Sequence, residues 1–221
     1  MMAEKVKDKD FVRVDYTGKL SDGNVFDTTK EKVARENKIF SEKMDYSPVA
    51  VCIGEKQILP GLDEQFEGKE VGKEYTVTLP PEKAFGKRDI KKMRIVPANT
   101  FREHNISPQP GLQVDIDGQM GTVTRVSGGR IIVNFNHPLA GKEITYIFKI
   151  NEKINDTREK LVSFLHSTLR IPESKIEAEV RDNKAEITLP AGFPLQITTM
   201  LAQKLVELTG LKDVLFQKKD E

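Results

Sequence analysis

VDYTGKLSDGNVFDTT, residues 14–29, is the stretch whose reading decides the fold. Val12, Val14 and Tyr16 are separated by Arg13 and Asp15, the period-two alternation of a strand with one buried face. Ser21-Asp22-Gly23-Asn24 follows as a turn in which Gly23 is available for a positive φ. Val25 and Phe26 open a second strand, and an acid, Asp27, stands between Phe26 and Thr28-Thr29. Taken singly, Tyr16 and Phe26 read as core residues and Asp27 as a turn or cap residue.

Working outward, residues 29–44 are charged and mildly helical, and Tyr46-Ser47-Pro48 ends them. Val49, Val51 and Ile53 alternate as a third strand. Leu59-Pro60-Gly61-Leu62 opens a short helix in which Leu62 and Phe66, four apart, share a face, with Gly68 closing it. Tyr75, Val77 and Leu79 form a strand stopped by Pro80-Pro81, and Ile144, Tyr146, Phe148 and Ile150 alternate again much later. Between those two strands the charged run KRDIKKMR (87–94) reads as a solvated linker. Val114 and Ile116, a turn at Asp117-Gly118, Val123 and Val126, a turn at Ser127-Gly128-Gly129 and RIIVNF (130–135) then have hairpin spacing. They predict a compact, all-β inserted module.

After Asn155 the pattern changes. Asp156 with Glu159 has the form of a capping box, and Leu161, Phe164, Leu165 and Leu169 make a helical stripe. IEAEVRD (176–182) and KAEITLP (184–190) alternate as strands around Asp182-Asn183-Lys184. A second helix carries Ile197, Met200, Leu201, Leu205 and Leu208, with Gly210 after its end, and VLFQ (214–217) predicts a last strand. This α-β-β-α-β order predicts a separate small α/β domain whose stripes are core and which holds no catalytic constellation.

Composition narrows the function. Lys and Arg number 35 against 34 Asp and Glu, so no long-range field gathers nucleic acid or an anionic membrane. Cys52 is the one cysteine, which excludes an internal disulfide and a cysteine zinc site. Set in the apolar run VAVCIG (49–54), it reads as a buried, inert thiol. The three histidines, His104, His137 and His166, lack ligand spacing, and Asn136-His137-Pro138 reads as a structural turn. The start, MMAEKVKDKD, has no apolar core of a signal peptide, and no apolar run approaches membrane-helix length, so the cytoplasm is the expected compartment. Hydrolase triads, P-loops and dinucleotide fingerprints are missing from the sequence.

What remains is an ordered set of aromatic and apolar residues with one embedded acid. VDYTGKLSDGNVFDTT (14–29) resembles the opening strands of FKBP prolyl isomerases, where Tyr, Phe and Asp line the pocket. PVAVCIGEKQILPGLDE (48–64) resembles their strand–loop–helix that forms the pocket floor, and LPPEKAFGKRD (79–89) their flap hinge. NHPLAGKEITYIFKI (136–150) resembles the return into the last strand of SlyD-like and archaeal FKBPs, which carry an insert-in-flap domain where residues 88–135 lie here. The tail resembles the extra C-terminal domain of the long archaeal members. The resemblance implies an α+β fold: an antiparallel sheet wrapped on a short helix, a small β-rich insert, and a C-terminal α/β domain. It implies an isomerase domain in 1–87 and 136–154, an insert in 88–135 and a C-terminal domain in 155–221. It further implies a pocket of Tyr16, Phe26, Asp27, Ile58, Leu59, Leu62, Phe85 and Tyr146, with Val49 or Val51 at its edge. Leu62 stands where human-type members have Trp, and Phe85 where many have Tyr, which removes a phenol donor.

The expected activity is peptidyl-prolyl cis–trans isomerisation, with unfolded proteins and Xaa-Pro peptides as partners and chaperone activity from the insert. The second reading is a holdase with a weak or vestigial pocket, for which Met93, Ile95, Phe101, Ile106 and Met120 are expected to be exposed. No cofactor, metal, nucleic acid or membrane is expected, and a homodimer through 155–221 is. The physics agrees. Rotation about an Xaa-Pro bond faces a barrier of about 18–20 kcal/mol because it breaks amide resonance. The planar amide is the more polar state, so an apolar pocket that desolvates its oxygen favours the twisted one. No nucleophile is needed when the site binds that state better than either planar state.

Overall fold

Strand β1 (Phe11–Leu20) is ten residues long, enough to pair with two strands along one edge and a third along the other. It is followed by β2 (Val25–Thr28), α1 (Glu31–Glu36), β3 (Val49–Cys52), the single-turn α2 (Pro60–Asp63) and β4 (Glu74–Leu79). Next come β5 (Met93–Pro97), α3 (Ala98–Glu103), β6 (Gln113–Ile116), β7 (Gln119–Ser127) and β8 (Arg130–Asn134). The chain returns in β9 (Ile144–Lys153) and ends in α4 (Thr157–Leu169), β10 (Glu177–Arg181), β11 (Lys184–Leu189), α5 (Leu195–Thr209) and β12 (Asp213–Lys218). This computed structural model describes residues 4–218. It divides into two units, one reaching Leu79 and resuming at Ile144, the other Pro80–Glu143. The architecture is mixed α+β with antiparallel sheets and few helices.

In the first unit the main sheet has the order β2-β1-β9-β4, with β3 also on β1, and every pair is antiparallel. Phe11–Val14 pair with Val49–Cys52, Thr17–Lys19 pair with β2, and β9 runs along the other edge. Alternation gives β1 and β3 two apolar faces. Phe11, Ala50 and Cys52 point to one side, and Val12, Val14, Val49 and Val51 to the other.

The first of those faces is covered by the C-terminal elements. Phe11, Ala50, Cys52 and Ile154 share one core with Leu161, Phe164 and Leu165 of α4, Leu201, Leu205 and Leu208 of α5, and Ala185, Ile187 and Val214 of the small sheet. Of the stretch 155–221, expected as a domain of its own, α4, α5 and the small sheet thus contribute to a core that includes the back of the main sheet. Asp156 caps α4 by accepting the Glu159 N–H at 2.8 Å, and Gly210 ends α5 at φ 73°. Asp182 and Asn183, both at positive φ, make the tight turn between β10 and β11, a two-residue loop of the kind that needs it. Strand β12 then pairs parallel with β11 after the α5 crossover. Cys52 is fully buried, and burial pushes its thiol up to about 12, so it is an inert core residue.

The second unit is a four-stranded antiparallel sheet, β5-β8-β7-β6, around Phe101, Val114, Val123, Ile131 and Val133. Its two tight hairpins turn at Asp117-Gly118 and Gly128-Gly129, all four residues at positive φ. Three expectations need correction here. The insert is not all-β, because α3 carries Phe101 into its core. Phe101 is therefore buried rather than exposed, and Met93 is half-buried. Residues Met93 and Arg94 of the charged run belong to β5, so the run enters the sheet and is not all linker. Polar residues at a strand edge carry no alternation signal, and a six-residue helix held by one aromatic has no period to read. Asn136 closes the neck of this unit: its side chain accepts the Asp89 N–H at 2.8 Å and donates to the Asp89 carbonyl at 2.9 Å.

A shared core predicts shared stability. Leu165→Ala removes a fully buried side chain and should cost about 2–5 kcal/mol. The loss should appear equally in main-sheet and C-terminal probes of thermal unfolding. Unfolding of the tail alone, with the main sheet unaffected, would show that the two do not stabilise each other.

Candidate active site

The cup of the candidate site is set by register. Across the β1–β9 pair, Tyr16 lies opposite Phe148 and Gly18 opposite Tyr146, and opposed residues of an antiparallel pair share a face. Neighbours along β2 ordinarily point to opposite faces. Here the register slips between Gly18 and Lys19, so that Gly18 faces Asp27 while Lys19 faces Val25, and Phe26 is the extra residue of a bulge. The bulge lets both Phe26 and Asp27 address the face that holds Tyr16 and Tyr146.

Gly18 makes the space for this. A Cβ there would lie 2.6 Å from the Phe26 Cζ and 2.9 Å from the Tyr146 Cε1, so both rings close over a position that tolerates no side chain. Tyr146 is buried at the bottom and takes two edge-to-face neighbours, Tyr16 at 5.7 Å and Phe26 at 5.9 Å between centroids. Tyr16, Phe26 and Asp27 are half-buried, as groups lining an open cup must be. Thr28 and Thr29 hold β2 in place beyond the bulge. The Thr17 and Thr28 hydroxyls lie 2.8 Å apart, and Thr29 accepts the Tyr16 N–H at 3.0 Å while donating to Asp15 at 2.7 Å.

Asp27 accepts hydrogen bonds from the Tyr16 hydroxyl and the Thr28 N–H, but burial outweighs both and raises its carboxyl above the ordinary range. Burial, and next the Asp27 charge, pushes the Tyr16 and Tyr146 phenols up, so both stay protonated at neutral pH. The cup therefore offers three aromatic faces and one acid whose charge is poorly solvated. It offers no nucleophile.

Of the other expected site residues, Ile58 and Leu59 are half-buried in the loop between β3 and α2, and Leu62 is buried in α2. Val51 is buried and Val49 half-buried on the β3 face opposite Ala50 and Cys52. Phe85 belongs to the second unit, where it stacks flat on His137 with centroids 4.5 Å apart. The His137 Nδ1 accepts the Leu139 N–H at 3.1 Å. The sequence reading passed over Gly18, Thr28 and Thr29. Gly18 sits mid-strand between Tyr16 and Phe26, and a glycine inside a strand pattern signals a close approach or a bulge. Among the described residues no group of three or more His, Cys, Asp or Glu is placed to hold a metal ion. No helix there is long and apolar enough to cross a membrane.

Comparison with known proteins adds a family. The model of FKBP-type peptidyl-prolyl cis-trans isomerases matches residues 2–102, and that described as FKBP26, IF domain matches residues 94–139. The short-type peptidyl-prolyl cis-trans isomerase of Methanocaldococcus jannaschii is 36% identical over 151 residues, 68% of this chain and 96% of that protein. The FKBP-type isomerase SlyD of Aeromonas hydrophila is 30% identical over 159 residues, 71% of this chain and 68% of that protein. The FKBP-type 16 kDa isomerase of Escherichia coli strain K12 is 29% identical over 156 residues, 68% and 95% of the two chains. These matches, with the aromatic cup on a bulged hairpin, place the chain in the family of FKBP-type peptidyl-prolyl cis-trans isomerases.

Proposed function

We propose that the cup of Tyr16, Phe26, Asp27 and Tyr146 is where this isomerase rotates Xaa-Pro bonds, with Ile58, Leu59 and Leu62 as its floor and Phe85 as the flap aromatic. The observation that carries this is the closure of the Phe26 and Tyr146 rings over Gly18 beside a half-buried acid. The rings suit the flat, apolar pyrrolidine. Their desolvation disfavours the charge-separated planar amide, and a twisted amide loses less on entering. Each roughly 1.4 kcal/mol of preference for the twisted state gives about tenfold in rate. Asp27 supplies polar orientation, directly or through Tyr16. It has no role as a base, because the rotation moves no proton.

We assign residues 88–135 to client binding. Ile95 is 63% and Met120 61% exposed, while Ile106 and Val126 are also exposed. Exposed apolar side chains on and beside strands suit extended, unfolded chains. This also supports the holdase reading, and the two activities are compatible. The domain limits 1–87 with 136–154, 88–135 and 155–221 remain our division by role, with 155–221 as a layer carrying no catalytic groups. Its exposed Leu195 and Leu215 support association of two copies. We propose the cytoplasm as its compartment.

Gly18→Ala should lower peptide isomerisation at least as far as Phe26→Ala, because the added methyl drives apart the rings that it meets. A protease-coupled assay on an Ala-Pro peptide, with circular dichroism as the fold control, measures both. Wild-type rates in both folded variants would end the site assignment. For Asp27, burial puts the folded carboxyl above its unfolded value of about 4. The folded state then holds its proton more tightly, so stability is lost as pH rises through that window. Asp27→Asn should therefore gain on the wild type in urea unfolding between pH 3 and 7; a falling difference would show that the hydrogen bonds outweigh burial. Replacing 88–135 by a short Gly-containing turn should leave peptide isomerisation nearly intact and sharply reduce catalysis of proline-limited refolding. Equal losses on both substrates would count against client binding by the insert.

A further inference from the structure

The loop between β3 and α2, residues 53–59, ends in Ile58 and Leu59, and the C-terminal elements hold it from outside. Gln57 is the junction. Its Oε1 accepts the Cys52 N–H at 2.8 Å, closing the loop on its own strand. Its Nε2 donates to the Phe164 carbonyl at 3.3 Å and reaches the Thr168 hydroxyl at 3.5 Å, both on α4. Two residues earlier, Glu55 pairs with Lys204 of α5 at 2.6 Å, and that carboxylate is largely buried, with 17% of its side chain exposed. Lys204 also approaches Glu207, which pairs with Lys9 at 2.7 Å, so the chain of charges runs back to the entry of β1. Beside these, the Ser167 hydroxyl donates to the Ala50 carbonyl at 3.3 Å.

The loop needs holding. Gly54 and Lys56 have positive φ, and Lys56 is not a residue that adopts it freely. The buried Asp63 carboxylate accepts the Gly54 and Lys56 N–H groups at 3.0–3.2 Å. Asp63 fixes the loop from α2, which is part of the isomerase body. Gln57 and Glu55 fix it from α4 and α5, which are not. A hydrogen bond and an ion pair thus tie one short loop to two helices of the C-terminal layer, beyond the apolar core that they share.

We propose that Gln57, supported by the Glu55–Lys204 pair, is a positioning residue through which the C-terminal layer presets Ile58 and Leu59 for Xaa-Pro binding. This rests on the assignment of those two residues to the pocket floor. A preset loop lowers the ordering cost of binding, so its loss weakens substrate binding more than it slows turnover.

The test uses the full chain. Gln57→Glu keeps an acceptor for the Cys52 N–H but loses the donor to α4. Lys204→Met breaks the ion pair. Val214→Ala, in the same core but away from the loop, is the stability control. Both loop variants should raise KM for an Xaa-Pro peptide about fivefold, the scale of one lost hydrogen bond, with kcat little changed. Hydrogen exchange at the Gly54 and Lys56 amides should quicken in both. Val214→Ala should lower Tm while leaving KM and those amides alone. Unchanged loop exchange, or quicker exchange with unchanged KM, overturns the proposal. So does a KM rise in all three variants in proportion to lost Tm. Failure of the site assignment itself is separable, because Phe26→Ala would then also keep its wild-type rate.

Discussion

Everything in the first unit depends on the pairing of β1 with β9. That pairing is nine residues long on β1 and sets Gly18 against Tyr146 and Tyr16 against Phe148. Shifting it by one residue would turn every side chain to the other face. The rings would leave the cup, and Phe11 would leave the core it shares with α4. The same strand therefore serves two layers. Its even-numbered residues from Val12 to Tyr16 lead into the cup, and Phe11 anchors the C-terminal helices behind it.

The second constraint is electrostatic. A carboxyl placed among three rings loses water, and the Tyr16 and Thr28 hydrogen bonds only partly offset that loss, so its carboxyl is raised. A fold optimised for stability alone would have an amide or an apolar residue there. Perturbed groups of this kind cluster at functional sites, which is the ground for proposing Asp27 as a site residue. Asp63 shows the contrast. It too is buried and raised, but it accepts two backbone N–H groups of a tight loop, which is a structural duty.

The C-terminal layer changes how the family pattern is to be understood in this chain. Its helices do not only pack on the back of the sheet. They accept a hydrogen bond from, and pair with, the loop that ends in Ile58 and Leu59. The C-terminal layer is thus tied to the residues next to Ile58 and Leu59 by a hydrogen bond and an ion pair as well as by the shared core.

Much was legible in the sequence because it was local. The alternation of Val12, Val14 and Tyr16, the Asp117-Gly118, Gly128-Gly129 and Asp182-Asn183 turns, the Asp156 cap and Gly210 after α5 each follow from a few neighbouring residues and their φ preferences. The ordered aromatic blocks carried the family as well. Tertiary structure alone decided the rest. The bulge at Phe26, the closure of two rings over Gly18 and the burial of Phe101 depend on which strands meet and in what register, and no local window records that. Two helical stripes looked like the core of a separate domain because a stripe states only that one face must be buried. That the covering surface included Phe11, Ala50 and Cys52 was settled by the second apolar face of β1 and β3, which burial in three dimensions had to satisfy.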